Sequence, residues 1–111
     1  MSTSVTDSGQ FAPKAAKIDI AGAGDQTVVA AVSGKKIRVC GITFSCTAAT
    51  GVTFKSAATV LLGPMPFDAN GGMDAYRGSD GIFCETVAGE ALVMNASTTS
   101  HVYGSLMYRE V

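Results

Sequence analysis

The sequence predicts a single small all-β domain, and three observations support this fold class. A chain of 111 residues has room for one domain. Its composition is 47% hydrophobic and 15% charged with 13 glycines, which is too apolar for a disordered chain and too rich in turn residues for a helical bundle. From Ala16 onward, short runs of alternating or β-branched residues are separated by turn residues at the spacing of a sandwich or barrel.

The first 15 residues are polar and show no sustained period, so we expect an extended arm (1–15) followed by a β-sandwich domain (16–111). Two interpretations of the arm remain open. It is either a frayed terminus or a segment that orders on a partner. In the second case Phe11 is the anchor, and Pro13 and Lys14 belong to the same contact.

About eight or nine short antiparallel strands follow from the alternation. They are predicted at 17–21, 26–32, 36–46, 51–56, 59–62, 72–76, 81–87, 90–97 and 101–110. The strand at 36–46 changes period, which predicts a bulge or bend near Gly41 that lets the strand cross between sheets or turn a corner. The last strand places Tyr103 and Met107 on its outer face, where we expect a contact between subunits.

Turn residues lie between the predicted strands and support the same division of the chain. Ser33-Gly34-Lys35 and Ala88-Gly89-Glu90 predict tight hairpins. The segment 63–72 is predicted to be irregular and to cross a sheet edge or cap one end of the sandwich, because Pro64 and Pro66 cannot donate to a central ladder.

Charge and cysteine content argue against several classes of function. The net charge is −1 and the eight Lys and Arg residues are scattered, so no nucleic-acid partner is predicted. No secretory signal and no membrane-length apolar segment is recognisable. The odd set Cys40, Cys46 and Cys84 contains no C-x-x-C pair and is typical of buried thiols in a reducing cytoplasm, although a Cys46–Cys84 bridge stays open. So few charged residues leave much apolar or small polar surface exposed unless another subunit covers it, which favours a homo-oligomer.

No enzyme, cofactor or metal site is predicted. His101 is the only histidine, which leaves no choice of partners for a catalytic triad or a multi-histidine site. Cys84 lies between Phe83 and Glu85 and is expected to be a buried structural thiol. Asp68 and Asn70 followed by Gly71 partly match a calcium loop but lack its later glutamate.

Several motifs together resemble small β-sandwich proteins from the virions of tailed bacteriophages. The matching stretches are V-A-A-V-x-G-K-K-I-R-V between Val28 and Val39, V-T-F-K-S at 52–56, L-x-G-P ending at Pro64, F-D-A-N-G-G at 67–72, G-x-F-x-E-T-x-x-G-E-A-L at 81–92 and Y-x-E-V at 108–111. The resemblance covers about residues 17–111. It implies a jelly-roll-like sandwich without catalytic residues, often trimeric, that decorates a capsid or builds part of a tail or fibre.

The first hypothesis is therefore a capsid decoration (head cement) protein, located in the virion, that binds the major capsid protein and stabilises the shell as a trimer. A tail, fibre or head–tail structural component is the nearest alternative. A carbohydrate-binding module is another, with Tyr76, Tyr103 or the 64–72 segment as the binding surface, although the chain has no Trp and only three Tyr.

Overall fold

A computed structural model describes residues 13–78 and 81–111, which form nine β-strands and no helix. The strands are β1 (Lys14–Ala21), β2 (Gly24–Val29), β3 (Ile37–Cys46), β4 (Thr50–Ser56), β5 (Thr59–Phe67), β6 (Gly72–Tyr76), β7 (Cys84–Glu85), β8 (Leu92–Ala96) and β9 (His101–Glu110). In these two ranges, no helix is long and apolar enough to cross a membrane.

The strands build two antiparallel sheets that pack as a sandwich. Sheet A has the order β1-β9-β3-β6, with β7 also paired to β3, and sheet B has the order β2-β8-β4-β5. The pairs β1·β9, β2·β8, β3·β6 and β4·β5 join the two halves of the chain like one long ribbon folded at the β4–β5 hairpin. Successive pairs fall alternately in sheets A and B, so the ribbon wraps into a jelly roll. The predicted fold class is confirmed.

The first strand begins earlier than the sequence indicates. Lys14 and Ala15, which the sequence assigns to the arm, are the first residues of β1 and pair with Tyr108 and Met107 of β9. Pairing with a long neighbouring strand supplies backbone hydrogen bonds that a polar sequence does not reveal. Phe11 and most of the predicted arm lie outside the described residues.

The predicted bulge in the third strand is confirmed, but the strand does not cross between sheets. The register of β3 against β9 shifts between Val39 and Gly41, so Cys40 is the extra residue. Val39 before the bulge and Ile42 after it both face the core, although they are three residues apart. The bulge therefore keeps the whole of β3 in sheet A with its apolar side chains inward.

The two predicted hairpins are wrong as hairpins, although both turns exist. Lys35 N–H donates to Val32 O (3.0 Å), and Glu90 N–H donates to Val87 O (3.1 Å). The first turn links β2 in sheet B to β3 in sheet A, and the second links β7 in sheet A to β8 in sheet B. Turn residues signal a reversal of the chain, but they do not specify whether the next strand stays in the same sheet.

Strand lengths near these crossings also differ from the prediction. The strand expected at 26–32 is Gly24–Val29, the one at 81–87 is reduced to Cys84–Glu85, and the one at 90–97 is Leu92–Ala96. The residues predicted to be in strands but found outside them lie where the chain passes from one sheet to the other and no longer pairs with a neighbouring strand. Apolar alternation continues through such crossings, so it overstates strand length.

The proline-containing segment is a strand rather than an irregular loop. β5 extends to Phe67 and includes both Pro64 and Pro66. It is the edge strand of sheet B, paired only with β4, which satisfies the expectation that these prolines avoid a central ladder.

A turn at 68–71 follows β5 and is fastened to the end of β3. Asn70 has a left-handed backbone (φ 64°), and Gly71 N–H donates to Asp68 O (2.8 Å). Cys46 N–H donates to Gly71 O (2.8 Å), and the Cys46 thiol lies 3.3 Å from Asp68 O. The resemblance to a calcium loop thus falls on a turn whose backbone carbonyls already accept hydrogen bonds from Cys46.

Four phenylalanines connect the two sheets through the core. Phe44 of sheet A contacts Phe67 (ring centroids 5.2 Å apart) and Phe54 (6.4 Å) of sheet B, and Phe54 contacts Phe83 edge-on at 5.5 Å. All three cysteines are free and buried, so the Cys46–Cys84 bridge that the sequence left open does not form.

Candidate functional site

The end of β7 and the loop that leads to β8 connect the two sheets. This stretch, residues 85–90, is the E-T-x-x-G-E part of the motif at 81–92. On its sheet A side, Glu85 forms an ion pair with Arg38 (2.5 Å), and Thr86 Oγ1 accepts a hydrogen bond from Ile37 N–H (2.9 Å). On its sheet B side, Glu90 accepts a hydrogen bond from Ser56 (2.6 Å). These polar residues are therefore structural.

The outer face of sheet A is the most distinctive surface of the domain. Tyr103 and Met107 are exposed there, as the alternation predicts, with 44% and 37% of their surface accessible. Tyr76 of β6 projects from the same face and is 61% exposed. Three of the six large apolar side chains that are exposed among the described residues thus share one face.

The strand registers align the side chains of this face in transverse rows. One row runs Ala15, Met107, Gly41, Tyr76 from β1 to β6, and the next runs Lys17, Ser105, Thr43, Asp74. We call them the apolar row and the polar row. Rows two residues apart on a strand are about 7 Å apart, and neighbours within a row are about 5 Å apart. The two rows therefore present apolar and polar side chains next to one another.

A shallow groove of about 220 Å³ lies where the two rows meet over β9, β3 and β6. The residues that line it include Tyr76, Met107, Asp74, Thr43 and Ser105. We call it the sheet A groove. It is bordered by both apolar and polar groups, as small-molecule sites usually are.

Gly41 positions the Tyr76 ring at this groove. A Cβ atom at residue 41 would lie 2.8 Å from Tyr76 Cδ1 and 3.5 Å from Cε1, so one edge of the ring occupies the space that a side chain would fill. Gly41 and Tyr76 are direct partners in the β3–β6 register. Because Gly41 has no side chain, the Tyr76 ring can lie over β3 while most of the ring remains exposed to solvent.

A small polar cluster lies at the other end of the outer face of sheet A. His101 Nε2 and Asp19 Oδ1 are 2.5 Å apart, and the His101 and Tyr103 rings are 4.8 Å apart. The hydrogen bond from His101 holds the pKa of Asp19 below its ordinary value of 3.8, and nearby Lys17 acts in the same direction. All these side chains are solvent-exposed, so the cluster tethers β1 to β9 rather than forming an enclosed site.

The outer face of sheet B is built differently. Asp25 accepts hydrogen bonds from Asn95 (2.7 Å) and Lys55 (3.0 Å), which lower its pKa. These three residues bridge β2, β8 and β4 and use one another's polar groups. Of the large exposed apolar side chains in the described ranges, sheet B carries only Val60 of the edge strand β5.

The thiol that could act as a nucleophile is not suited to that role. Cys84 is buried, and desolvation raises its pKa to about 12. A thiol with such a pKa is protonated at neutral pH and unreactive, in agreement with the sequence interpretation. Within 13–78 and 81–111, no group of three or more His, Cys, Asp or Glu side chains is placed to hold a metal ion.

The residues predicted for capsid contact are only partly described. Phe11 is outside the described residues, and Pro13 is exposed just before β1. Lys14 belongs to β1, where its ammonium group pairs with Glu110 (3.1 Å). Its charge therefore ties β1 to β9.

The groove is not predicted from the sequence, although the exposure of Tyr76, Tyr103 and Met107 is. Alternation along β6 is sufficient to place Asp74 and Tyr76 on one face. It does not show that Gly41, Thr43 and Ser105 lie beside them, because that depends on the registers of β3 with its two neighbours.

A scan against protein-family models finds no matching family, and searches against curated proteins and solved structures find no match to this chain.

Proposed function

We propose that this chain is a structural protein of a bacteriophage virion, a capsid decoration protein that binds the outer surface of the shell and stabilises it. The exposed apolar set on the outer face of sheet A carries the proposal. A small domain that exposes Tyr76, Tyr103 and Met107 on one sheet face has a surface suited to contact with other protein subunits.

The motif residues give further support. Glu85, Thr86 and Glu90 connect β7 and the loop that follows it to both sheets, and Gly72 accommodates a close approach to the backbone of β3. The motif thus corresponds to a rigid sandwich, which suits a protein whose role is to remain bound in one geometry.

The proposed assembly is a homo-oligomer, expected to be a trimer, with Tyr103 and Met107 between copies. Both residues lie on β9, next to the edge strand β1. A contact on this β1 side of the face would bury apolar side chains that are exposed in one copy. The partner is the major capsid protein, reached through residues 1–12 as an arm that leads into β1.

The decisive experiment is to purify particles produced by the genome that encodes the chain and to analyse them by mass spectrometry and cryo-electron microscopy. The proposal expects the chain in stoichiometric amount, with density for the sandwich on the outer surface of the shell. Density at the tail or at the head–tail junction would replace decoration with one of those structural roles. Absence of the chain from purified particles would overturn the proposal.

The arm is tested by deleting residues 1–12, which leaves all of β1 in place. The truncated protein should keep the circular dichroism spectrum and thermal midpoint of the full chain but lose binding to particles stripped of the chain. Retained binding would show that the arm is not the capsid contact. A Lys14→Ala variant of the full chain is the matched control, because Lys14 pairs with Glu110 within the domain.

A further inference from the structure

We propose that the sheet A groove binds one neutral pyranose residue of a glycan, with Tyr76 as the stacking platform and Asp74, Thr43 and Ser105 as hydrogen-bonding partners. This property does not depend on the virion role. The domain can bind a sugar whether or not it is part of a virion, so the virion role and the sugar site can each be refuted without the other.

Tyr76 is positioned to stack against a sugar ring. One face of a pyranose ring carries mainly C–H groups, which pack favourably against an aromatic ring. Tyr76 is the most exposed large apolar residue in the described part of the chain, and its ring edge leans into the space above Gly41. An exposed ring that is held by the backbone beneath it loses little conformational freedom when a ligand stacks on it.

The polar row beside the Tyr76 ring offers hydrogen-bonding groups for sugar hydroxyls. Asp74, Thr43 and Ser105 line the groove in transverse register. Asp74 is solvent-exposed, and neither its carboxylate nor the two hydroxyl groups makes a side-chain hydrogen bond or ion pair with any other described residue. A carboxylate accepts hydrogen bonds from sugar hydroxyls, and Ser and Thr both donate and accept.

The size and shape of the groove fit one sugar residue. A groove of about 220 Å³ is smaller than the usual range for drug-sized ligands and is open to solvent along one side. It therefore suits one sugar residue at the end or side of a longer glycan rather than an enclosed cofactor. Met107 also lines the groove, and its flexible, polarisable side chain adapts to irregular shapes.

Charge selects a neutral sugar. Asp74 is the acidic side chain among the residues that line the groove, and its negative charge disfavours sugars that carry a carboxylate or phosphate. Lys17, at the far end of the polar row on β1, pairs with Asp19 (3.7 Å) and lies outside the groove lining. The site therefore differs from a basic pocket for anionic sugars.

The groove is compatible with the proposed contact between copies. Met107 belongs to both surfaces on sheet A: the groove extends from it toward β3 and β6, and the proposed subunit contact extends from it toward β1. Tyr76 lies on the far edge of the sheet from β1 and remains accessible in such an oligomer.

The test is a titration of the isotopically labelled full chain, in its native oligomeric state, followed by ¹H–¹⁵N correlation spectra. Glucose, galactose, mannose and N-acetylglucosamine are added separately, and N-acetylneuraminic acid serves as the anionic comparison. We expect at least one neutral sugar to shift the amide signals of residues 41–43, 74–76 and 105–107 with millimolar affinity, as is usual for a small ligand in an open site. The anionic sugar should bind more weakly.

Two variants assign the interaction to the groove. Tyr76→Ala should weaken binding of the responding sugar at least tenfold, and Asp74→Asn should weaken it severalfold. Val60→Ala is the control, because it removes an exposed apolar side chain on sheet B, outside both the groove and the proposed contact between copies, and should leave the affinity unchanged. Circular dichroism and thermal midpoints verify that each variant is folded.

The proposal is overturned if none of the four neutral sugars at millimolar concentration shifts the amide signals of a localised set of residues. Shifts that persist at full strength in Tyr76→Ala also overturn it, as do shifts that map to sheet B. Equal or stronger binding of the anionic sugar would contradict the role assigned to Asp74.

Discussion

Ser56 connects the loop after β7 to sheet B through two hydrogen bonds. Its hydroxyl donates to Glu90 Oε1 (2.6 Å) and accepts from Val87 N–H (2.9 Å), and Ser56 is fully buried. On the sheet A side, Thr86 of the same loop accepts a hydrogen bond from Ile37 N–H, and Glu85 at the end of β7 pairs with Arg38. One buried serine therefore completes a polar link that fixes the spacing of the two sheets at this end of the sandwich.

Replacement of Ser56 by alanine should destabilise the fold by about 1–3 kcal/mol, because the Val87 amide and the Glu90 carboxylate lose a buried partner. Urea unfolding followed by circular dichroism measures the change. Ser45→Ala is the matched control, since Ser45 is exposed on β3 and its replacement should change stability little. Equal stability of the two variants would contradict the role assigned to Ser56.

Gly104 of β9 should not tolerate even alanine. A Cβ at residue 104 would collide with the Thr43 carbonyl oxygen and would lie 2.7 Å from Phe44 Cα on the paired strand β3. Since both atoms belong to the backbone, the strands must separate to admit the methyl group. We expect Gly104→Ala to lower the unfolding free energy by about 2–4 kcal/mol.

Thermal and urea unfolding test this expectation. Ser105→Ala provides the comparison, because residue 105 is adjacent on β9 but its side chain is exposed on the outer face. A Gly104→Ala protein as stable as Ser105→Ala would show that the two strands have room to adjust.

The three thiols should resist labelling while the protein is folded. Cys40 and Cys46 are fully or almost fully buried, and burial raises the pKa of Cys84 to about 12. A chromogenic disulfide reagent at pH 8 should react slowly with the native protein and with three thiols after addition of denaturant. Rapid reaction of one thiol in the native state would contradict this burial.

The raised pKa of Cys84 also predicts a loss of stability in alkali. In the unfolded chain the thiol ionises near its ordinary value of 9.0, whereas in the folded protein it keeps its proton until about pH 12. The unfolded state thus releases this proton first, and stability from this group falls as pH rises from about 9 to 12. Cys84→Ala should show a shallower alkaline decline in the thermal midpoint than the unchanged protein.

The proposed contact between copies predicts a change of mass in solution. Light scattering should give the mass of three chains for the unchanged protein, and the double variant Tyr103→Lys, Met107→Lys should shift the mass toward one chain, because two charges replace the apolar contact. Val60→Lys is the control, since Val60 is exposed on sheet B. A monomeric unchanged protein would refute preassembly in solution, and an unaltered mass of the double variant would place the interface elsewhere.

Local patterns in the sequence determined much of this protein. Alternation and turn residues predict the all-β class and the approximate position of every strand, because side chains on a half-buried strand alternate between core and solvent. The change of period in 36–46 predicts the bulge, and alternation in 101–110 predicts the exposure of Tyr103 and Met107. Burial of the cysteines follows from their apolar surroundings.

Only the tertiary structure decided which strands are neighbours. The turns at 33–35 and 88–90 cross between sheets, β5 continues through two prolines because it is an edge, and β1 begins at Lys14 because β9 is long enough to pair with it. The groove depends on the same property: Gly41, Asp74 and Ser105 are distant in sequence and meet through the registers of β3 with β6 and β9. Register is set by long-range pairing, which a pattern within one strand does not encode.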